Sequence, residues 1–149
     1  MNESKTSVES IVLALKEKGI KSTPQRIYIY KKVKEMHGHL TAEEIYQKIK
    51  DEIPSLSLST VYRTLRYFEE KGIINSMMAS KDYGLTVFDT NTSPHHHFIC
   101  RVCGKIEDIE EKSIKVNFVK SIPGKKEKFS VIIKGVCSDC EKKSEKKKH

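Results

Sequence analysis

Two pairs of cysteines constrain the fold of this chain more than any other feature. Each pair has the spacing C-x2-C, and the chain has no further cysteine: Cys100 with Cys103, and Cys137 with Cys140. A tight turn can direct two such thiols at one point, and two turns complete a tetrahedron around Zn²⁺, with Zn–S bonds of about 2.3 Å. Four thiolates leave no position open for a substrate, so the pattern predicts a structural zinc site. Two disulfides or a redox-active pair are the disfavoured alternatives, because doubled CxxC spacing without an export signal is typical of metal binding.

Glycines accompany both cysteine pairs. Gly104 directly follows the first pair, and Gly135 stands just before the second. Because glycine readily adopts backbone angles that other residues avoid, we expect both to serve the tight turns of the zinc site.

The size, charge and termini of the chain limit its class. The 149 residues carry a formal net charge of +8, which favours polyanionic partners such as nucleic acid. The polar start MNESKTSVES lacks the apolar core of a signal peptide, and no apolar run has the length of a membrane span. We therefore expect a cytoplasmic protein with no membrane contact. The lysine-rich tail 141–149 is interpreted as a solvated, frayed end.

Residues 1–90 are predicted to form a winged-helix domain. Apolar residues at helical spacing indicate a first helix, and Thr23, Thr41 and Ser57 are candidate N-caps of three more. The last helix ends at Gly72. Two short strands, at 73–74 and 85–88, are then predicted around a turn near Asp82-Tyr83-Gly84.

The helix that follows Ser57 has the composition of a DNA recognition helix. Its exposed face is predicted to carry short hydroxyls, which can approach phosphates, and arginines, which can bind a guanine edge through two hydrogen bonds. These candidate DNA-binding residues are Ser59, Thr60, Tyr62, Arg63 and Arg66. A polar face is also normal on any surface helix.

The second half is predicted to be a small α/β domain. Residues 91–94 are interpreted as a linker, and 95–149 as a zinc-binding and dimerisation domain. We expect strands at 97–100, 106–109 and 129–136, and a helix from Ser113 to about Ser121. A domain with so few elements buries little apolar area. Zinc binding and the pairing of two copies would therefore both stabilise it.

Histidines and aspartates outside the cysteine pairs form a second candidate metal site. In an extended His95-His96-His97 segment, two histidines share one side of the strand. Asp89 precedes this segment, Asp108 follows the first CxxC, and His39 lies in the other domain. Nitrogen and carboxylate ligands favour Fe²⁺ or Mn²⁺ more than a thiolate set does. Ligands drawn from both domains would couple metal binding to domain closure.

Six motifs, taken together, are those of a known family. They are T-P-Q-R at 23–26, H-x-T-A-E-E-I-Y at 39–46, S-T-V-Y-R-T-L at 59–65, F-D at 88–89, H-H-H-F-I-C-x-x-C-G at 95–104 and G-V-C-x-x-C at 135–140. In their order and spacing the chain resembles the ferric uptake regulator family over nearly its whole length. The resemblance implies an α+β protein, with an N-terminal winged-helix domain and a C-terminal dimerisation domain. It also implies a dimeric, metal-dependent transcription repressor that binds palindromic operator DNA and is not an enzyme.

The resemblance also assigns roles to individual residues. It implies structural Zn²⁺ at the four cysteines, and a regulatory site for Fe²⁺ or Mn²⁺ at His39, Asp89, His95, His97 and Asp108. Three histidines with two aspartates are similar to the peroxide-sensing branch of the family, whereas iron-sensing members usually carry glutamates at the two acidic positions. By the same resemblance, His39 and His95 are the rings that peroxide would oxidise. His96 is not expected to be a regulatory ligand.

Other functions remain as alternatives. At position 63 the chain resembles the iron-uptake regulators, which carry arginine, whereas some peroxide regulators carry asparagine there. An iron- or zinc-uptake regulator is therefore the first alternative. A structural zinc module that binds proteins is a distant one. A zinc hydrolase or deaminase is disfavoured, because four cysteines leave no place for water and the H-x-E partner of deaminases is absent. No small-molecule substrate is expected.

Overall fold

The computed structural model describes residues 7–78 and 85–148. Within these residues the chain divides into two compact units, 7–78 with 85–92, and 93–148. The division lies in the segment interpreted as a linker. No helix in the described ranges is long and apolar enough to cross a bilayer.

The first unit contains four helices followed by an antiparallel hairpin. The elements are α1 Val8–Glu17, α2 Pro24–Met36, α3 Ala42–Ile49, α4 Leu58–Glu70, β1 Asn75–Met78 and β2 Thr86–Asp89. β1 pairs with β2 so that Asn75 lies opposite Asp89. This order is the predicted winged-helix arrangement, although β1 begins two residues later than expected. The turn predicted near Asp82-Tyr83-Gly84 lies outside the described residues.

Side-chain caps explain where three of these helices begin. The hydroxyls of Thr23 and Ser57 accept hydrogen bonds from backbone N–H groups in the first turns of α2 and α4, at 3.3 and 3.2 Å. At α3, Thr41 accepts from the Glu44 N–H at 3.1 Å, while the Glu44 carboxylate accepts from the Thr41 N–H at 2.9 Å. This reciprocal box satisfies two donors that the helix itself cannot use.

The core of the first unit lies between the helices and β2. Its fully buried side chains include Ile29, Val33, Ile45, Ile49, Val61, Leu65, Phe68 and Phe88. Three of them, Val61, Leu65 and Phe68, form the inner face of α4. Burying this face leaves the opposite side of α4 in solvent.

The second unit contains a three-stranded sheet and the two turns that carry the CxxC pairs. Its elements are β3 His95–Cys100, β4 Ile106–Glu110, a 3-10 turn Glu111–Ser113, β5 Ile132–Gly135 and α5 Ser138–Lys146. The strand order is β4-β3-β5, with β4 antiparallel and β5 parallel to β3. The first cysteine pair therefore spans the end of β3 and the turn to β4. The second spans the start of α5, with Cys137 at its N-cap and Cys140 in its first turn.

Two predictions for the second unit are wrong. Residues 114–131 contain no regular helix, so the helix predicted from Ser113 to about Ser121 is absent. A helix there would need a continuous buried face, whereas Phe118 and Val119 are 50% and 95% exposed. Conversely, much of the tail predicted to be frayed is helical, because α5 continues to Lys146.

Candidate metal sites and DNA-binding face

The four cysteines converge on one point in the second unit. Their sulfurs all lie within 4.8 Å of one another, and the Cys103 and Cys137 sulfurs are 3.8 Å apart. An S–S bond is about 2.05 Å long, so this pair is not a disulfide. A separation of about 3.8 Å is the edge of a tetrahedron whose centre lies about 2.3 Å from each sulfur. The donor set therefore fits a structural Zn²⁺.

Backbone amides prepare one of these thiols for a cation. The N–H groups of Cys137 and Val102 donate to the Cys100 sulfur at 3.3 and 3.4 Å. Hydrogen bonds from the backbone of Cys103 and Cys137 lower the pKa of Cys100 to about 6. The side-chain hydrogen bond to Cys137, together with burial, raises the pKa of Cys140 to about 12. Zn²⁺ would bind all four sulfurs as thiolates, so zinc binding would release the proton of Cys140.

In the first unit, a two-bond bridge places one histidine beside one aspartate. Leu40 and Phe88 exchange backbone hydrogen bonds, at 3.0 and 2.7 Å. The next residues outward are His39 and Asp89, and His39 Nε2 lies 3.5 Å from Asp89 Oδ2. The other carboxylate oxygen of Asp89 accepts from the Asn91 N–H at 2.9 Å, which orients the carboxylate.

In the second unit, the sheet register brings two histidines to one aspartate. Alternation along β3 puts His95 and His97 on the same face, with ring centroids 4.5 Å apart. Asp108 on β4 lies opposite His97 in the register, and its Oδ1 is 3.6 Å from Nε2 of each histidine. Ligands about 3.0–4.2 Å apart can share one ion whose bonds are about 2.1 Å long. The three side chains therefore fit part of a metal site.

The tautomer of His95 also suits a ligand. Its Nδ1 lies 2.6 Å from the Ser93 carbonyl oxygen, which can only accept, so Nδ1 carries the proton. In a neutral ring with this tautomer, Nε2 is the nitrogen that can bind a metal, and it lies 3.6 Å from Asp108 Oδ1. Such a second hydrogen bond commonly fixes the ring of a metal-binding histidine.

His96 occupies the opposite face of β3 and is almost fully buried, at 2% exposure. Its Nδ1 accepts a hydrogen bond from the Val131 N–H at 3.0 Å, and its ring packs against Phe129. His96 thus connects β3 to the segment before β5. The pleat of the strand keeps it away from the side shared by His95 and His97.

The predicted DNA-binding residues of α4 lie at the surface of the first unit. Ser59, Tyr62, Arg63 and Arg66 are exposed and Thr60 is partly buried. Near the start of α4, the Ser57 hydroxyl lies 3.1 Å from that of Ser59 and 2.9 Å from that of Thr60. The helix therefore presents hydroxyls at its start and cations further along.

The two arginines of this face differ in their partners. Arg66 forms an ion pair with Glu69 at 2.7 Å, and this hydrogen bond raises the pKa of Arg66. The same Glu69 accepts a hydrogen bond from the Ser76 hydroxyl of β1. Arg63 donates instead to the backbone carbonyl of Ser59 at 3.4 Å. The pairing of Arg66 was not predicted, although an acidic residue three positions later was the available signal.

Comparisons with known proteins agree with this architecture. The model of the ferric uptake regulator family matches residues 17–132. The peroxide-responsive repressor PerR of Staphylococcus aureus is 35% identical over 143 residues, which cover 91% of this chain and 93% of that protein.

Solved structures agree as well. The Francisella tularensis ferric uptake regulator, solved with iron, superposes with a TM-score of 0.67 at 27% identity, over 83% of this chain and 96% of that chain. The Campylobacter jejuni peroxide stress regulator superposes with a TM-score of 0.58 at 29% identity, over 87% of this chain and 98% of that chain. These matches confirm the predicted α+β fold class and the resemblance found in the motifs. The chain belongs to the ferric uptake regulator family.

Proposed function

We propose that this protein is a homodimeric, metal-dependent transcriptional repressor that binds palindromic operator DNA and responds to peroxide. The observation that carries the proposal is the donor set of three histidines and two aspartates. His39 and Asp89 are adjacent in the first unit, and His95, His97 and Asp108 are adjacent in the second. The 35% identity to a peroxide-responsive repressor supports the same function.

In this proposal, one Fe²⁺ or Mn²⁺ ion is held by all five side chains. Each unit contributes a pre-arranged part of the set, so binding requires the two units to come together. Metal favours the closed arrangement to the extent that it binds that arrangement more tightly than the open one. Closure would hold the two winged helices of a dimer at the spacing of two operator half-sites.

Structural Zn²⁺ at the four cysteines has a separate role. It would hold the β3–β4 and β5–α5 turns together and so maintain the sheet that carries His95 and His97. A four-thiolate site requires reduced cysteines, which suits the cytoplasm. We propose that this unit also forms the dimer.

The peroxide response depends on the regulatory ligands. Bound Fe²⁺ would catalyse the oxidation of an adjacent imidazole by H₂O₂, whereas Mn²⁺ would react poorly. Peroxide takes two electrons from the ring: one oxygen atom enters a ring C–H bond, and the other leaves as water. We propose His39 and His95 as the oxidised rings. An oxidised ring is a poorer nitrogen donor, so the units would separate and the DNA would be released.

The test is DNA binding with Mn²⁺ or Fe²⁺, each with and without peroxide, on duplexes selected from a random pool. We expect both metals to support binding, and peroxide to abolish it only with Fe²⁺. Mass spectrometry should then find one added oxygen on peptides that contain His39 or His95. Absence of this adduct after Fe²⁺ and peroxide treatment would rule out peroxide sensing.

Matched variants separate the regulatory site from general damage. His39→Ala should lose metal-dependent binding, while His37→Gly, two residues earlier, should keep it because His37 belongs to neither donor group. Asp108→Glu tests the aspartate that distinguishes the peroxide-sensing branch. If Asp108→Glu retains repression but no longer responds to peroxide, that assignment is supported.

An iron- or zinc-uptake regulator is the second candidate, favoured by Arg63 in α4. It predicts DNA binding that requires the metal and is lost when the metal is removed, with no response to peroxide. The four-condition binding experiment distinguishes the two functions directly.

A further inference from the structure

A groove in the first unit extends from the exposed face of α4 to residues of α2 that have no role in the function proposed above. It is an open groove between the start of α2 and one face of α4, with a volume of about 530 Å³. The α4 side is formed by Thr60, Arg63, Thr64 and Tyr67, which recur at i, i+3, i+4 and i+7. The α2 side is formed by residues 23–26.

The cation on the α2 side is held in place. The Arg26 guanidinium lies over the Tyr67 ring, 4.7 Å from its centroid. Its Nη1 donates to the Lys21 carbonyl oxygen at 3.0 Å. A stacked, half-buried guanidinium loses less conformational freedom on binding an anion than a free side chain does.

The electrostatics of the groove favour an anion. It carries Arg26 and Arg63, and no carboxylate is among its described lining residues. Of the five α-helices in the described ranges, only α2 and α4 have no acidic residue in the first turn, and both begin beside this groove. Helix N-termini carry a partial positive charge that attracts anions when no carboxylate of the protein is nearby.

We propose that this groove binds a backbone phosphate of the DNA duplex, and that Arg26 is the positioning contact. The inference rests on the proposed function, because it assumes that α4 faces DNA. Arg63 belongs both to the groove and to the exposed face of α4, so a strand lying along α4 passes both. Phosphate contacts fix the register of a protein on DNA without reading its sequence.

The measurement is the salt dependence of binding by Arg26→Gln, on a random-sequence duplex and on a selected operator with Mn²⁺. Each lost phosphate contact lowers the slope of log K against log salt by about 0.9, hence by about 1.8 for a dimer. At 0.1 M salt, the loss of one phosphate contact weakens DNA binding about eightfold per subunit. Arg26→Lys should keep most of the slope. Lys48→Gln, the same charge change at the end of α3, should keep all of it.

Thr64→Glu provides a second test that leaves Arg26 intact. It adds a carboxylate to the groove at a partly buried helical position, and it should weaken binding to both duplexes alike. Thermal melts followed by circular dichroism identify any variant that fails to fold.

Two results would overturn the proposal. One is a wild-type slope for both Arg26→Gln and Thr64→Glu. The other is a loss on the selected operator alone, which would mean that Arg26 reads bases. Binding to the random-sequence duplex requires neither the regulatory metal nor an operator sequence. A wild-type protein that binds it through Arg26 but selects no operator would therefore refute only the proposed function, whereas no binding to either duplex would refute both.

Discussion

Replacing Gly104 by alanine tests how the first zinc turn depends on backbone conformation. Gly104 has φ of 79°, and its N–H closes the turn by donating to the Cys100 carbonyl oxygen at 2.9 Å. No heavy atom outside its chain neighbours lies within 4 Å of the added Cβ, so crowding makes no contribution. The left-handed conformation alone costs an L-residue roughly 1–2 kcal/mol.

This cost should appear as weaker zinc binding. Folding of a small metal-bound unit is linked to metal affinity. A loss of about 1–2 kcal/mol corresponds to a 5- to 30-fold weaker affinity, at about 1.4 kcal/mol per factor of ten. Gly104→Asn should fall between glycine and alanine, because asparagine tolerates this region better. The assay is competition for Zn²⁺ with a chelator of known affinity.

Gly135→Ala is the matched comparison beside the second cysteine pair. Gly135 was predicted to need unusual backbone angles, but its φ is not positive. Its constraint is steric, because an added Cβ would lie 3.2 Å from two atoms of the Phe98 ring. That half-buried ring can shift by a few tenths of an ångström. Replacing glycine by alanine also stabilises the folded protein by about 0.4–1 kcal/mol, because it restricts the unfolded chain. We expect less than a fivefold change in affinity. The reasoning is refuted if Gly104→Ala binds zinc as tightly as the wild type, or if Gly135→Ala is the weaker of the two.

Three further perturbations follow from contacts described above. Removing zinc with a chelator should abolish the protection of β3–β5 amides in hydrogen exchange but leave α1–α4 protected, because the cysteines all lie in the second unit; loss of protection in both units would contradict this. Thr41→Ala removes the capping box with Glu44 and should cost about 1 kcal/mol of unfolding free energy in urea titration, with an unchanged midpoint as the contrary result. Glu69→Gln breaks the exposed ion pair with Arg66, so binding to random DNA should tighten about two- to fivefold at low salt, and an unchanged affinity would show that Arg66 does not face DNA.

Most of the first unit could be predicted because its local signals agree with its packing. The caps at Thr23, Thr41 and Ser57 mark helix starts, and the apolar positions behind them are buried. The first helix shows the limit of such patterns, since Ile11 and Leu15 of its apolar stripe are buried while Val8 is 51% exposed.

The second unit was less predictable because its apolar residues fit two periodicities. Ile114 and Phe118 are four residues apart, as in a helix, but Val116 between them gives the alternation of a strand. The segment adopts neither form. Helix α5 was missed for the opposite reason, because it has no buried residue and hence no apolar stripe. Its available signals were acidic residues in the first turn and lysines in the last.

The donor groups illustrate what a linear pattern omits. The spacing of His95 and His97 indicates that they share a face, but their meeting with Asp108 depends on the β3–β4 register. Likewise, His39 and Asp89 are fifty residues apart in sequence and become neighbours only through the Leu40–Phe88 bridge.

That bridge has a mechanical consequence. Phe88 belongs to the hairpin β1–β2, and two backbone hydrogen bonds tie it to Leu40, two residues before the start of α3. The hairpin therefore cannot slide along or lift from the helices without separating the His39 imidazole from the Asp89 carboxylate. A force applied to the hairpin, for example by a bound duplex, would thus be transmitted to two of the proposed metal ligands. The same two bonds assemble that pair before any ion arrives, so two of the five proposed ligands are already adjacent in the apoprotein.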